Sequence, residues 1–173
     1  FKVQHRIPYW GFLFREKIKP RKADPVKAYQ AGVPPDFFSR LKEGEDYIFP
    51  EGKTVLNANV TKPSTPALSY AYCADTKYDE SLISIIEGVD LIYHEATYLD
   101  DQREKAIERF HSTAKQAATL ALQGNVKKLL LGHFSSKYEM LDVFREEAAE
   151  VFPNVEACKE GVTYLAEDRG VVS

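Results

Sequence analysis

Three segments of the chain read SYAYCADT at residues 69–76, LIYHEAT at residues 91–97 and LLLGHFSS at residues 129–136. In each segment an apolar run typical of a β-strand ends at an aspartate, histidine or glutamate, the side chains that bind metal ions. A fourth segment, VQHRIP at residues 3–8, repeats the pattern. Polar side chains at strand ends converge on sites in α/β proteins. The sequence therefore predicts a zinc site, of which these segments supply only a part.

Length and composition indicate a globular domain. At 173 residues, with 44% hydrophobic and 28% charged residues, the chain can bury a core and is not of the disordered class. It has no run of about 18 apolar residues, so no membrane span is predicted, and its first residues lack the apolar stretch of a signal peptide. Of two cysteines, Cys73 lies in a strand pattern and is expected to be a buried thiol, which favours a cytoplasmic location.

Positive charge is concentrated near the start of the chain. Residues 1–28 carry eight Lys and Arg side chains and two acidic ones, although the formal net charge of the chain is −3. Residues 16–52 are rich in proline and are interpreted as an inserted flexible arm. Basic side chains on an acidic body predict a contact with a polyanion, whereas the structural alternative is a solvated loop. The candidate RNA-binding residues are Lys17, Lys19, Arg21, Lys22 and Lys27.

Strand and helix patterns alternate after residue 75, which predicts a layered α/β fold. The predicted strands are residues 53–60, 67–74, 89–93, 127–131, 155–158 and 162–166. The predicted helices are residues 24–31, 36–42, 78–87, a segment from 102, 113–122 and 139–151. Ser112 is the predicted N-cap of the helix 113–122, and Gly124 lies just past its end.

Four side chains are candidates for chemistry, and each also has a structural interpretation. Asp75 can bridge two metal ions through its two oxygens, or it can cap the helix at residue 78. His133 can bind a metal or be a hydrogen-bonded structural histidine. Glu95 can hold an imidazole in one tautomer or cap a helix. His111, just before a predicted helix start, can act as an acid or as an orienting group.

The order and spacing of these motifs together are specific. They are His5-Arg6-Ile7-Pro8, Ala74-Asp75-Thr76, His94-Glu95-Ala96-Thr97, His111-Ser112-Thr113 and Gly132-His133-Phe134-Ser135-Ser136-Lys137-Tyr138. In this combination the chain resembles the C-terminal half of tRNase Z (ribonuclease Z), the tRNA 3′-end endonuclease of the metallo-β-lactamase superfamily. The resemblance covers nearly all of the sequence.

The resemblance implies a fold, a site and a substrate. The fold would be the C-terminal half of an αββα sandwich with an inserted arm. His5 would bind one zinc ion, His133 would bind the other, and Asp75 would bridge them. His111 would lie beside the scissile phosphate, and Glu95 would orient it. The arm would grip precursor tRNA, and the enzyme would be a homodimer, although the Gly-Pro pair common in the family's arm is absent from Gly32-Val33-Pro34-Pro35-Asp36.

The superfamily's His-x-His-x-Asp-His sequence does not occur in the chain. The four histidines stand singly, at positions 5, 94, 111 and 133. In the family this sequence precedes the region that the chain resembles, and the chain starts without methionine, inside a strand pattern. Three ligands do not fill two zinc coordination spheres. We therefore expect the missing N-terminal half as a partner and no activity from the chain alone.

Two alternatives remain, of which the first changes only the substrate and the second belongs to another functional class. The first is a related metallo-β-lactamase-type hydrolase that acts on small phosphodiesters. The second is a non-catalytic half-domain that binds RNA or a partner chain. Removal of residues 17–50 distinguishes the first, because only a tRNA enzyme needs the basic arm. Gel-shift binding of tRNA without cleavage would favour the second.

Overall fold

Strands and helices alternate along residues 1–166, the part of the chain that the structure, a computed structural model, describes. The strands are β1 Lys2–Val3, β2 Tyr9–Trp10, β3 Phe12–Arg15, β4 Lys22–Ala23, β5 Tyr47–Ile48, β6 Thr54–Val55, β7 Thr61–Lys62, β8 Ser69–Cys73, β9 Leu91–Glu95, β10 Lys128–Gly132 and β11 Val155–Ala157. The α-helices are α1 Pro25–Gln30, α2 Phe38–Glu43, α3 Asn57–Val60, α4 Ile83–Ile86, α5 Arg103–Arg109, α6 Ala114–Gln123 and α7 Asp142–Ala149. Short 3-10 turns span Pro35–Phe37, Glu80–Leu82 and Asp100–Gln102.

The three segments quoted first form adjacent strands of one mixed sheet, with strand order β11–β10–β9–β8–β3. Strands β8, β9, β10 and β11 are parallel, and β3 pairs antiparallel with β8. Cys73 lies opposite His94, and Gly132 lies opposite Glu95. The carboxyl ends of three strands therefore meet at one edge, so the loops that follow them are neighbours. The predicted α/β fold is confirmed.

Helix α6 covers one face of this sheet because its inward side is made of small residues. Its buried alanines at positions 114, 117, 118 and 121 follow the i, i+3, i+4, i+7 spacing of a single helix face. Small side chains let the helix lie close to Ile92 and Leu131, which belong to the same buried core. Thr113 starts the helix with a capping box that includes Gln116. The N-cap is therefore Thr113, and the prediction of Ser112 is wrong by one residue.

Residues Glu16–Ala67 form a second compact unit with a small core of its own. That core contains the buried side chains of Ala28, Val33, Leu41, Val55 and Val60. The first unit consists of Phe1–Arg15 and the chain from Leu68 onward. The second unit contains all of the predicted arm 16–52 and continues beyond it to Ala67.

The prediction of one strand over residues 53–60 is wrong. Strand β6 has two residues, and helix α3 begins at Asn57. The Asn57 amide N–H donates to Asp46 Oδ1 at 2.6 Å, and its side chain donates to the carbonyls of Leu41 and Glu45. Side-chain hydrogen bonds of this kind give the backbone an alternative to strand pairing.

Two other predicted elements differ at the end of the chain. Residues 162–166 form no strand, so β11 has no partner after it within the described residues. Helix α7 begins at Asp142 rather than at residue 139.

The predicted helix 78–87 consists of a 3-10 turn and the four-residue α4, and its cap is Asp79, which accepts from the Ser81 amide. Asp75 is therefore not a helix cap.

Helix length and hydropathy give no candidate for a membrane span among the described residues.

Cys73 is fully buried and not in a disulfide, as its strand position predicts. Burial raises the pKa of its thiol to about 12. A thiol so protonated is a poor nucleophile, so Cys73 is a packing residue.

Gly132, the last residue of β10, lies under the ring of Tyr93. A Cβ atom at this position would collide with Oη and two ring carbons of Tyr93. The ring is held there by stacking on Tyr72, with centroids 5.0 Å apart and an interplanar angle of 14°. The glycine is therefore needed for close approach immediately before His133.

We expect Gly132→Ala to lower the free energy of unfolding by about 1–3 kcal/mol, the usual range for overpacking. Urea denaturation followed by circular dichroism measures this change. In a Tyr93→Leu background the same substitution should have a smaller effect, because the colliding ring is gone. An equal loss in both backgrounds would show that the Tyr93 ring is not the cause.

Candidate active site

A buried carboxylate lies at the centre of the strand edge. Glu95, the last residue of β9, has no solvent exposure. Its Oε1 accepts from the Thr76 amide at 3.1 Å and from His111 Nδ1 at 2.8 Å. Its Oε2 accepts from the amide and the hydroxyl of Thr97, at 2.9 and 2.8 Å. Each oxygen has two donors, which is the condition for burying a carboxylate.

His111 is placed by the end of helix α5. Phe110 adopts a left-handed conformation with φ 61°, and the His111 amide then donates to the Ala106 carbonyl at 2.8 Å, as in a Schellman cap. The side chain of His111 is 15% exposed, and its Nδ1 donates to Glu95. This hydrogen bond raises the pKa of His111 above its ordinary value, against the lowering effect of burial. The other nitrogen, Nε2, is left for chemistry.

The tautomer of His133 follows from the same carboxylate. The Thr97 hydroxyl donates its proton to Glu95, so it must accept from His133 Nδ1, which lies 2.9 Å away. A neutral His133 with its proton on Nδ1 has a lone pair on Nε2. Hydrogen bonds of this kind, to the nitrogen that does not bind the metal, fix the ligand tautomer in metal sites. His133 also has φ 57°, a strained value for a residue other than glycine.

Asp75 and His133 present ligand atoms to each other. His133 Nε2 lies 3.6 Å from Asp75 Oδ2. Two ligands at about 2.0–2.1 Å from a tetrahedral zinc ion would be about 3.4 Å apart. The pair therefore fits one ion with little movement. Nitrogen and oxygen donors are among the ligands that zinc accepts.

His5 is attached to the same edge by its neighbour. The Gln4 amide donates to the Thr76 hydroxyl, and the Gln4 carbonyl accepts from the Lys77 amide, both at 3.0 Å. The His5 Nδ1 lies 3.3 Å from the Phe110 carbonyl, to which it donates. Its ring centroid lies 5.7 Å from that of His111. Its Nε2 is therefore unprotonated in the neutral ring and available to a metal.

A second grouping of possible metal ligands overlaps the predicted set. Ligand atoms of Glu95, His111 and His133 lie within 4.8 Å of one another. Each oxygen of Glu95 already accepts from two donors, and Nδ1 of His111 is one of these donors. Glu95 is therefore better suited to orient the two histidines than to bind a metal itself. It also caps no helix, which was its structural alternative.

Sequence reasoning did not identify two residues that hold the site together. Thr97 connects Glu95 to His133, and Thr76 connects Glu95 to the segment of His5. Both lie inside the recognised motifs, but a threonine in a motif does not reveal its hydrogen-bond partners. Ser112, the predicted cap, instead donates to the Thr76 carbonyl at 2.7 Å.

His94 is fully buried on the helix-covered face of the sheet and belongs to none of these contacts. Its Nδ1 donates to the Glu95 carbonyl at 2.7 Å, and its Nε2 has no partner among the described atoms. Burial lowers the pKa of His94, so the ring is neutral. His94 therefore supports the end of β9 and not the chemistry.

The five predicted RNA-binding cations all lie in the second compact unit. Lys22 is in β4, and Lys27 is in α1. Arg21 is half-buried and donates to the Thr61 hydroxyl at 2.7 Å. The other four, Lys17, Lys19, Lys22 and Lys27, are exposed.

We expect Glu95→Gln to lower the pKa of His111, because the substitution removes the hydrogen bond to a carboxylate that raises it. An NMR titration of the histidine ring protons measures the pKa directly. Glu108→Gln, on the exposed side of α5, is the matched control and should leave this pKa unchanged. An unchanged His111 pKa in the Glu95 variant would contradict the interaction.

Comparison with known proteins places the chain. No protein-family model matches it. Ribonuclease Z of Bacteroides fragilis is 43% identical over 162 residues, which are 92% of this chain and 53% of that protein. Ribonuclease Z of Porphyromonas gingivalis is 43% identical over 158 residues, 91% of this chain and 52% of that protein. The chain spans about half the length of the curated relatives it matches.

Solved structures agree on the fold. The short form of human tRNase Z superimposes with a TM-score of 0.54 at 21% identity, over 96% of this chain and 42% of that one. The metallo-β-lactamase fold protein YhfI from Bacillus subtilis has a TM-score of 0.52 at 26% identity, over 68% of this chain and 46% of that one. Sequence and fold lead to one conclusion: the chain is homologous to about half of ribonuclease Z and has the fold of metallo-β-lactamase-fold proteins.

Proposed function

We propose that this chain is half of a zinc-dependent endoribonuclease that removes the 3′ trailer from precursor tRNA. The observation that carries the proposal is the hydrogen-bond network of Glu95, which holds His111 directly and His133 through Thr97 at one strand edge. One carboxylate thus sets the tautomers of a candidate acid and a candidate metal ligand. Homology to ribonuclease Z supports tRNA as the substrate.

In this proposal, His133 and His5 would each hold a different zinc ion, and Asp75 would be a ligand of both. The spacing of Asp75 and His133 and the unprotonated Nε2 atoms of both histidines support this arrangement. When bound, zinc supplies Lewis-acid polarisation of the phosphate and lowers the pKa of water. The residues of this chain would hold the ions and orient the substrate.

His111 is proposed as the general acid that faces the leaving oxygen. Its Nδ1–H is held by Glu95, so Nε2 is the nitrogen that exchanges a proton with the substrate. The raised pKa keeps the ring protonated at higher pH than an unperturbed histidine. In the hydrolysis, a water oxygen bonds to phosphorus while the P–O3′ bond breaks, so the phosphate stays on the trailer. The proton from Nε2 goes to the leaving 3′ oxygen of the mature tRNA, which becomes a 3′ hydroxyl.

The remaining zinc ligands are proposed to come from the N-terminal half of the longer relatives. The sheet supports such a partner, because its face away from α6 carries an exposed stripe of aromatic rings. Phe12 and Phe14 are 54% and 57% exposed, and they lie beside Tyr72 and Tyr70 on this face. Rings of this size usually pack against another layer. Without that layer, the chain is expected to be inactive.

The compact unit Glu16–Ala67 is proposed as the arm that binds the body of the tRNA. Lys22 and Lys62 lie directly opposite each other in the β4–β7 pair. Like charges in this position destabilise a strand pair, and a polyanionic ligand would remove that cost. By family resemblance we also propose a homodimer and a cytoplasmic location.

We expect His133→Ala and Asp75→Ala in the complete protein to lower zinc content and to reduce turnover on precursor tRNA by about a hundredfold or more. Metal analysis and a gel-based cleavage assay measure the two effects. Asp101→Ala, which removes an exposed carboxylate outside the site, is the matched control. Near-normal cleavage by either variant would refute the ligand assignment.

His111→Ala is expected to separate rate from metal content. Turnover should fall by about 10²- to 10⁴-fold, the usual contribution of a general acid, while zinc content stays unchanged. If zinc is lost in proportion to the rate, His111 is a metal ligand and its proposed role is wrong.

We expect Lys22→Gln to weaken binding of precursor tRNA and to reduce the slope of log affinity against log salt by about 0.9, the value for one lost phosphate contact. Filter binding across a range of KCl concentrations measures it. The matched control is Lys42→Gln, which removes an exposed cation of the same unit that was not predicted to bind RNA. Equal slopes for the two variants would mean that Lys22 makes no phosphate contact.

A further inference from the structure

Two lysines share one aromatic ring beside the histidines. The ammonium nitrogen of Lys105 lies 5.5 Å from the ring centroid of Tyr98, and that of Lys137 lies 5.6 Å from it. Lys137 also lies 4.4 Å from the ring centroid of Tyr138. These distances are within the range of cation–π contacts. Lys105 comes from helix α5 and Lys137 from the loop after β10, so the fold brings together two segments to make the pair.

The shared ring is firmly attached to the segment that carries His111. Tyr98 is 4% exposed. Its amide donates to the Ser112 carbonyl at 3.3 Å, and its carbonyl accepts from the Ala114 amide at 3.0 Å. Its ring meets that of His111 edge to face, with centroids 6.3 Å apart. The two ammonium groups are therefore held at a defined place next to the proposed general acid.

No carboxylate of residues 1–166, the described part of the chain, forms an ion pair with either of these two cations. Within the described residues, neither Lys105 nor Lys137 has an Asp or Glu oxygen within 4.0 Å of its ammonium group. The acidic side chains around α5, Asp101, Glu104 and Glu108, line a cavity together with Lys105 but make no ion pair with it. Both ammonium groups contact the same ring, so an anion bound beside Tyr98 would be attracted by both of them.

We propose that Lys105 and Lys137 form a phosphate clamp that holds the RNA strand beside the bond that His111 faces. The proposal rests on the proposed function. Tyr98 orders both lysine side chains before the substrate arrives, so less side-chain freedom is lost on binding. The clamp contacts phosphates that flank the cut and reads no base, since ammonium groups make sequence-independent phosphate contacts. This clamp differs from the proposed arm Glu16–Ala67, which binds the body of the tRNA, because the clamp holds the RNA strand at the proposed active site.

The first test measures binding and does not depend on cleavage. A short fluorescein-labelled single-stranded RNA is titrated with the zinc-loaded complete protein, and fluorescence anisotropy is recorded at several KCl concentrations. Lys105→Gln and Lys137→Gln should each weaken binding about tenfold, as expected for a lost charge-assisted hydrogen bond. Each should also reduce the salt slope by about 0.7, the single-strand value for one phosphate.

The matched control is Arg145→Gln, which removes an exposed cation of helix α7 that lies on no aromatic ring in the described structure. It should bind the RNA as the unsubstituted protein does. Far-ultraviolet circular dichroism verifies that each variant is folded. Lysine variants that bind the RNA like the Arg145 variant would overturn the clamp.

A cleavage assay then separates the clamp from the proposed function. On precursor tRNA the lysine variants should raise KM more than they lower kcat, with a smaller loss on bis(p-nitrophenyl) phosphate, which has no flanking phosphates. Equal losses on both substrates would overturn the clamp, because the lysines would then act on the reacting phosphate. Failure of the unsubstituted protein to cut precursor tRNA would refute the proposed function, while the binding result would still decide the clamp.

Discussion

The burial of one carboxylate determines the rest of the site. Glu95 has no exposure to water, so its two oxygens must find donors inside the protein. The four donors come from three loops: Thr76 after β8, Thr97 after β9, and His111 after α5. Because each loop must supply its donor for the chain to fold, the loops cannot move independently. The positions of the histidines are a consequence of this requirement.

Packing and strain bring these donors within reach. The alanine face of α6 lets the helix lie close to the sheet, and Gly132 lets β10 pass under the ring of Tyr93. Phe110 and His133 have left-handed backbones, which cost free energy for residues with a side chain. Both residues lie at the site, whereas Asn125, the third described residue other than glycine with a positive φ, lies between α6 and β10. Stability gained in the buried core thus offsets the backbone strain at the candidate site.

Local patterns were sufficient for some elements and misleading for others. The apolar strands β8, β9 and β10 were recognisable because buried parallel strands are continuously apolar, and helix α6 because its alanines repeat at helical spacing. The strand predicted over residues 53–60 failed because Asn57 forms long-range hydrogen bonds that no local pattern contains. The helix cap is Thr113 rather than the predicted Ser112, because the Ser112 hydroxyl donates to the Thr76 carbonyl across the site. Both of these errors come from contacts between residues that are well separated in the chain.

The sequence by itself determined the family resemblance, the α/β class and the residue types at the strand ends. These properties follow from the order and spacing of the motifs and from the hydrophobic pattern, and all three can be recognised in the sequence. Only the tertiary structure decided that Glu95 orients two histidines, that Thr97 fixes the tautomer of His133, and that Lys105 and Lys137 meet on the ring of Tyr98. The physical reason is that hydrogen bonds and cation–π contacts need positions accurate to a few tenths of an ångström. Such positions arise when segments distant in sequence pack together.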